Sequence, residues 1–269
     1  MAKRKIWVNL IVHNEDQFVW FAVMSVINFV DKVLIYDTGS TDLTVEIIKD
    51  LKKKFDEKII FKEVGLVNAG EFSRMRQKML DESKSDWILV LDGDEVWPED
   101  SIKKVIETIN KRGQSLDAVV VPFYNLIGDV YHYQPKEAGQ YKILGKKGHL
   151  TVKAISKRIP GLHIENPYGS EGYFDDSGME IQKSIKRKLL YLEAPFLHFT
   201  HLKRSSVGQT LSKYKYELGV AFTDKFKFPD VLSLPTPGCV PSPWRKRTLG
   251  YFLKSLLRQP LIFLWRKIK

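Results

Sequence analysis

Apolar runs at residues 5–12, 32–36, 59–64 and 87–91 alternate with stretches whose apolar positions recur at helical spacing. Few chains can satisfy that pattern except by laying parallel strands side by side and returning through helices. Between the first two runs Phe18, Phe21, Ala22, Ser25, Val26 and Phe29 predict a helix over 15–30. Further helices are predicted over 43–54, 71–82 and 98–111. The expected fold is α/β, with a mostly parallel sheet and helices on both faces. After Asp117 the rhythm changes to a strand at 118–124, an irregular stretch over 125–188 rich in Gly, Tyr, His and charge, and an apolar stretch at 189–200. Such an irregular segment is where a doubly wound fold keeps its binding loops. A helix is predicted over 205–222.

Charge is unevenly spread. The 269 residues hold 43 Lys+Arg against 32 Asp+Glu, a net +11, and 43% are apolar, as in a globular protein of one large or two small domains. Residues 244–269 alone carry eight cations and no carboxylate, leaving 35 cations against 32 acids elsewhere. Five of the twelve prolines fall in 229–243, predicting an extended connector. The expected division is therefore a body over 1–225, a connector over 226–243 and a basic tail over 244–269. In the tail Leu249, Phe252, Leu253, Leu256, Leu257, Leu261, Phe263, Leu264 and Trp265 are interleaved with cations, and Pro260 should kink the helix. Apolar residues flanked by cations describe an amphipathic segment lying on an anionic bilayer surface, each cation contributing about 1 kcal/mol. Packing of this helix on the body is the plain alternative. The aromatics lie among Leu and Ile rather than in a nucleic-acid-binding pattern, so no nucleic acid partner is expected.

The longest uninterrupted apolar run of the tail, 261–265, is far short of the roughly 20 residues a spanning helix needs. Residues 1–12 lack the layout of a cleavable secretion signal. The single Cys239 forms no internal disulfide and no zinc site by itself. A cytoplasmic location, peripheral on the inner face of the membrane, fits these features.

In a parallel sheet, ligands bind beyond the carboxyl ends of the strands. The first strand delivers His13, Asn14 and Glu15 there, the second delivers Asp37 with Gly39-Ser40-Thr41-Asp42, and the fourth delivers Asp92-Gly93-Asp94-Glu95. Carboxylates crowded at one strand edge repel, and a divalent cation with oxygen ligands relieves the conflict. Capping of the following helix is an equally good reading of a lone Asp-x-Asp.

Together these pieces resemble the family 2 glycosyltransferases of the GT-A fold, closest to the bacterial branch of lipopolysaccharide-core and other cell-surface sugar transferases. The matching stretches are Leu10-Ile11-Val12-His13-Asn14-Glu15, the run from Val33 to Thr44, and Trp87 to Glu95, followed by Leu162-His163-Ile164-Glu165 and Leu197-His198-Phe199-Thr200. The ordered set covers roughly residues 5–220. The resemblance implies a Rossmann-like nucleotide-diphospho-sugar transferase fold and a hexosyltransferase-type enzyme. It further implies that His13, Asn14 and Glu15 border the nucleotide, that Asp37 hydrogen-bonds the base, that Asp92 approaches the nucleoside, and that Asp94 holds Mg²⁺ or Mn²⁺ on the diphosphate. Arg76 is a candidate donor contact, although Gln77 stands where relatives commonly carry Asn. A solvated helix face is the alternative for Arg74 and Arg76.

Sugar transfer needs a neutralised leaving diphosphate, deprotonation of the acceptor hydroxyl, and stabilisation of oxocarbenium character. Glu165, matching the branch's His-Glu pair, is the expected base, with His163 orienting its loop. Glu171, Asp175 and Asp176, in the Gly-rich stretch over 169–178, compete for that role, with a solvated loop the favoured reading. His198 either completes the metal shell or is an ordinary half-buried imidazole, and His201 and Lys203 are weaker versions of the same idea. The expected reaction inverts the anomeric carbon and serves a glycan or lipid-linked acceptor of the cell envelope. Two rivals remain at this point, a nucleotidyltransferase and a catalytically silent glycan-binding protein. A nucleotidyltransferase usually shows a Gly-rich basic loop after the first strand, which His13-Asn14-Glu15-Asp16 does not.

Overall fold

The computed structural model describes residues 3–202 and 215–268. The four alternating apolar runs form β1 (Ile6–Val12), β2 (Lys32–Asp37), β3 (Ile59–Glu63) and β4 (Trp87–Asp92), all parallel, with β1 between β2 and β4. Between them run α1 (Val19–Val26), α2 (Thr44–Lys54) and α3 (Ala69–Glu82). A short β5 (Glu95–Val96) precedes α4 (Glu99–Arg112). Local chemistry sets the helix ends. Asn68 accepts from the amides of Gly70 and Glu71 while Glu71 accepts from the Asn68 amide, a reciprocal cap that starts α3 two residues before the expected position. In α4, Glu99 and Asp100 lie in the first turn and Lys111 and Arg112 in the last, matching the helix dipole.

After β6 (Ala118–Ile127) the chain turns at Gly128 into β7 (Asp129–Tyr133). A small ribbon follows, β8 (Tyr141–Ile143) with β9 (Lys146–Gly148), and then β10 (Leu150–Ser156), which runs antiparallel between β4 and β6. A second ribbon pairs β11 (His163–Glu165) with β12 (Gly172–Phe174). The apolar stretch at 189–200 is interrupted near Pro195 and becomes β13 (Leu189–Tyr191) and β14 (Phe196–His201), both parallel to β6.

Helices cover both sheet faces. On one side α1, α2 and α4 bury Val23, Ile47, Leu51, Ile102 and Val105 against Val8, Leu10, Val33 and Ile35. On the other, α3 sets Met79 against Ile11, Leu34 and Tyr36. Residues 205–214 of the helix expected over 205–222 lie outside the described residues. The remaining part is not helical: β15 (Val220–Ala221) pairs with the edge strand β7. Aromatic packing favours this arrangement, because Phe222 stacks on Phe226 at 3.9 Å and meets Tyr124 and Tyr133, which an exposed helix would not allow.

The proline-rich segment expected as an extended connector instead folds back on the body. A 3₁₀ turn at Asp230–Ser233 buries Val231 and Leu232, Val240 is buried too, and the Trp244 indole donates to the Leu232 carbonyl. The tail then forms α5 (Leu249–Ile268), with Pro260 inside it. One stripe of α5 packs: Tyr251 and Ser255 are buried, Gln259 accepts from the Leu218 amide, and Arg266 lies 2.8 Å from the buried Glu217. Arg247, just before it, donates to the Leu218 carbonyl and to His132, whose other nitrogen meets Asp129 at 2.6 Å. The opposite stripe exposes Leu253, Leu256, Leu257, Leu261 and Leu264.

Phe196 is fully buried between Trp97 and Phe123, at centroid distances of 4.9 and 5.4 Å. Phe196→Ala should cost about 3–5 kcal/mol, measured as the shift of the urea midpoint; a loss below 1 kcal/mol would show that β14 is not the keystone of the second sheet half.

Candidate active site

The carboxyl ends of β1, β2 and β4 meet at a cleft of about 910 Å³. On the β1–β2 side, two turns are stitched together. Thr38 donates from both its amide and its hydroxyl to the Val12 carbonyl, and His13 Nδ1 lies 3.0 Å from the Thr38 carbonyl. Asn14 adopts a left-handed backbone (φ 54°), its amide donates to Ser40 Oγ, and its Oδ1 accepts from the Thr41 amide. Asp37 Oδ2 accepts from the amides of Gly39 and Ser40, which folds the turn, whereas Oδ1 is buried without a partner. A carboxylate oxygen buried without a partner is uncommon in a folded protein.

On the β4 side the carboxylates are compensated from three other elements. Arg76 of α3 bonds Asp92 Oδ1 at 3.1 Å, Lys153 of β10 lies 3.8 Å from Asp92 Oδ2 and 2.6 Å from Glu95, and His198 Nε2 of β14 lies 3.4 Å from Asp94 Oδ1. Burial alone would raise Asp92, but Lys153 and Arg76 outweigh it and hold its carboxyl below the usual value. Burial lowers the His198 imidazole, yet Asp94 chiefly, then Glu95 and Asp92, hold it above its ordinary value. For Glu95 burial wins, pushing its carboxyl up to about 7 despite the adjacent ammonium. Gly93 sits in a tight place. A Cβ there would stand 3.0 Å from Glu15 Cγ and 3.1 Å from Val12 Cγ1, so a larger residue would have to push these side chains aside where the first and fourth strand ends meet.

Of the expected site residues, His13, Glu15, Arg76, Asp92, Asp94 and His198 line the cleft. Asn14 and Asp37 are buried directly behind it. Glu165 is not brought in. Side chains alternate along β11, so Ile164 faces the cleft while the Glu165 carboxyl, half exposed, turns out to His163 at 2.8 Å. Both ring nitrogens of His163 face pure acceptors, the Gly161 carbonyl and Glu165, and this pairing holds the imidazole above its ordinary pKa. Glu171 corrects the solvated-loop reading, since it lines the cleft with its Oε1 3.9 Å from Arg76 Nε. Asp175 is corrected likewise: it is fully buried, bonded to Ser177 and to Arg187, which also holds Asp176. Arg74 is an exposed helix residue near Glu71, whereas Arg76 is buried. Gln77 receives the Ile164 amide and so pins β11 to α3. His201 is buried, and Lys203 lies outside the described residues.

Asp94 and His198 form a two-ligand pair suited to a cation completed by ligand oxygens; among the described residues no three His, Cys, Asp or Glu side chains gather as a metal cage.

The model of glycosyl transferase family 2 matches residues 7–163, which include every strand end described above. The chain belongs to that family. Its sheet, with β1 to β4 parallel and the Asp92-Gly93-Asp94 turn at the β4 end, is a GT-A fold. A curated relative, the SPbeta prophage-derived glycosyltransferase SunS of Bacillus subtilis (strain 168), is 27% identical over 123 residues, 44% of this chain and 27% of that protein. The chain thus spans about a quarter of the length of this family relative. Among solved structures, S. aureus TarS 1–349 in complex with UDP-GlcNAc superposes with a TM-score of 0.48 at 14% identity, covering 75% of this chain and 59% of that one. Glucosyl-3-phosphoglycerate synthase from Mycobacterium tuberculosis, with Mn²⁺, UDP and glucosyl-3-phosphoglycerate, gives 0.46 at 17% identity, covering 73% and 72%.

Beside the cleft, His149 is buried against Phe123 with its Nε2 unpartnered, and desolvation lowers its pKa from 6.5 to about 4. The unfolded chain takes up this proton as pH falls through 6.5 while the folded imidazole resists until about 4, so folding loses stability across that window, by about 3 kcal/mol at its lower end. In His149→Gln the difference between urea stability at pH 7 and at pH 4.5 should shrink; an unchanged difference would mean the imidazole titrates normally.

Proposed function

We propose that this chain transfers a sugar from a nucleotide-diphosphate sugar to an acceptor hydroxyl, with inversion and with a divalent cation. The observation that carries this reading is the meeting of three sequence-distant polar strand ends at one cleft, on a chain of family 2. The orphaned Asp37 Oδ1 suits an N–H of the base, and the 38–41 turn braced by Asn14 keeps that oxygen in place. Asp92, fixed between two cations, suits the hydroxyls of the nucleoside. Asp94 and His198 would hold Mg²⁺ or Mn²⁺, whose charge neutralises the leaving diphosphate. Within this reading Glu171 takes the acceptor proton, because among the candidate bases it is the carboxylate that lines the cleft.

The exposed leucine stripe of α5, with Lys254 and Arg258 beside it, supports peripheral contact with an anionic bilayer, and hence a lipid-linked or cell-envelope acceptor. No helix of the described residues is long and apolar enough to cross a membrane. The two faces of α5 reconcile the alternatives of packing and membrane contact: one stripe holds the helix to the body, the other remains available.

A panel of UDP-, GDP- and dTDP-sugars incubated with Mn²⁺ should show slow hydrolysis of one donor, and Asp94→Ala should abolish it; turnover of none would favour a silent binding protein. With an acceptor found, Glu171→Gln should lower kcat on the order of 100-fold or more and Glu165→Gln by much less. The reverse ranking would return the base to Glu165. Leu257→Glu with Leu261→Glu should weaken co-sedimentation with anionic vesicles at least about tenfold, each charge being costly in an apolar interface; undiminished binding would sink the membrane reading.

A further inference from the structure

Lys153 lines the cleft, and beyond its pairing with Asp92 and Glu95 the chemistry above gives it no part in holding the donor. It stands where β10 slips against β6: Val152 pairs with Val120 and Ala154 with Val119, so Lys153 is the extra residue of a bulge. Bulges bend a strand and re-aim one side chain. Here the aimed side chain is an ammonium inside the protein, 3% exposed, lining the cleft, 2.6 Å from Glu95 and 5.2 Å from the centre of the Phe196 ring. A lysine is seldom buried unless it is paired, and its pairing falls on the strand end that carries Asp92, Asp94 and Glu95.

Those three carboxylates lie within four residues, and a nucleotide-sugar adds a diphosphate to the same region. Arg76 faces Asp92 from one side and Lys153 from the other. The Glu95 oxygen that meets Lys153 also accepts from the Asp92 amide, so one ammonium ties Glu95, the backbone of Asp92 and its carboxylate together. Without it the cleft loses a fixed positive charge beside Asp92, which disfavours a diphosphate and favours a divalent cation.

We propose that Lys153 is a donor-positioning residue: its ammonium locks Asp92 and the buried Glu95 and supplies the fixed positive charge that admits a nucleoside diphosphate to a cleft lined by Asp92 and Asp94. This rests on the nucleotide-sugar reading of the site. Loss of this charge should weaken nucleotide binding without weakening Mn²⁺ binding, which a general loosening of the fold does not produce.

The test is calorimetric titration of UDP, GDP and dTDP in saturating Mn²⁺, together with titration of Mn²⁺ alone followed by its electron paramagnetic resonance signal, on the parent, Lys153→Met and Lys153→Arg. For whichever nucleotide the parent binds, Lys153→Met should weaken binding about tenfold while Mn²⁺ alone binds as tightly or more tightly, and Lys153→Arg should restore most of the nucleotide affinity. Should Lys153→Met fail to fold, Lys153→Gln, which keeps a hydrogen bond for Glu95, takes its place with the same expectation. Unchanged nucleotide affinity, or parallel loss of nucleotide and Mn²⁺ binding, overturns the role. A parent that binds Mn²⁺ but none of the nucleotides overturns the donor reading itself, and Lys153's role with it.

Discussion

Everything at the functional end of this molecule depends on keeping acidic side chains of β4 and its turn close together in a largely dry place. Asp92, Asp94 and Glu95 are contiguous in sequence, so the chain cannot separate them. It brings a guanidinium, an ammonium and an imidazole to them instead, from α3, β10 and β14, elements that follow different rules of placement. The parallel core sets where the carboxylates emerge, α3 crosses the opposite face to deliver Arg76, and the antiparallel return of β10 carries Lys153 alongside β4. Lys153 and Glu95 are both buried, so removing the ammonium leaves a buried carboxyl without its ion partner, which costs more than the pair contributes when complete. The site is therefore part of the fold's stability as well as its chemistry.

The parallel half was legible in the sequence because its signals are local. Apolar runs of strand length, helical periodicity and turn residues at strand ends each need only a short window to be read, and the polar clusters at His13, Asp37 and Asp92 followed from their positions after those strands. The second half was less legible because its order comes from distant partners. Residues 215–222 carry apolar and aromatic positions compatible with a helix, yet Phe222 and Phe226 are claimed by Tyr124 and Tyr133, some ninety residues earlier, and the chain stays extended. Tertiary packing of this kind overrides local propensity. The 229–243 segment shows the same effect: its prolines do stop regular structure, but Val231, Leu232 and Val240 bind it to the core.

Glu165 and Glu171 show where resemblance and geometry part. A motif marks a stretch of chain, whereas strand alternation decides which side chain of that stretch faces inward, and a shift of one residue reverses the answer. Gln77 and Ser73 of α3 fix the register of the segment after Leu162 by binding the Ile164 amide and the Asn166 carbonyl. That register turns Ile164 toward the cleft and leaves Glu165 to His163. Lys153 was missed for a related reason. A lone lysine in Leu150-Thr151-Val152-Lys153-Ala154-Ile155 reads as the solvent-facing member of an alternating strand, and only the slip against β6 reveals that it points inward. The available hint was its setting, a single charge among residues otherwise suited to burial.

The tail extends the same logic to a surface. A helix that packed with all its leucines inward would leave no apolar face, and one bound only by lipid would need no Arg266–Glu217 contact or buried Tyr251. Having both fixes the orientation of α5: the stripe from Tyr251 through Ser255 and Gln259 to Arg266 determines, through helical geometry, that Leu253, Leu257, Leu261 and Leu264 point away from the body. The anchoring is polar and directional, through Arg247 to the Leu218 carbonyl and Gln259 from its amide, so the helix cannot roll to hide its leucines without breaking buried hydrogen bonds. Because Glu217 also accepts from Gln134, which in turn bonds Asn125 on the strand beside His198, the helix orientation is tied by contiguous contacts to the β14 wall of the cleft. A surface that held α5 would thereby hold the cleft at a defined angle to itself.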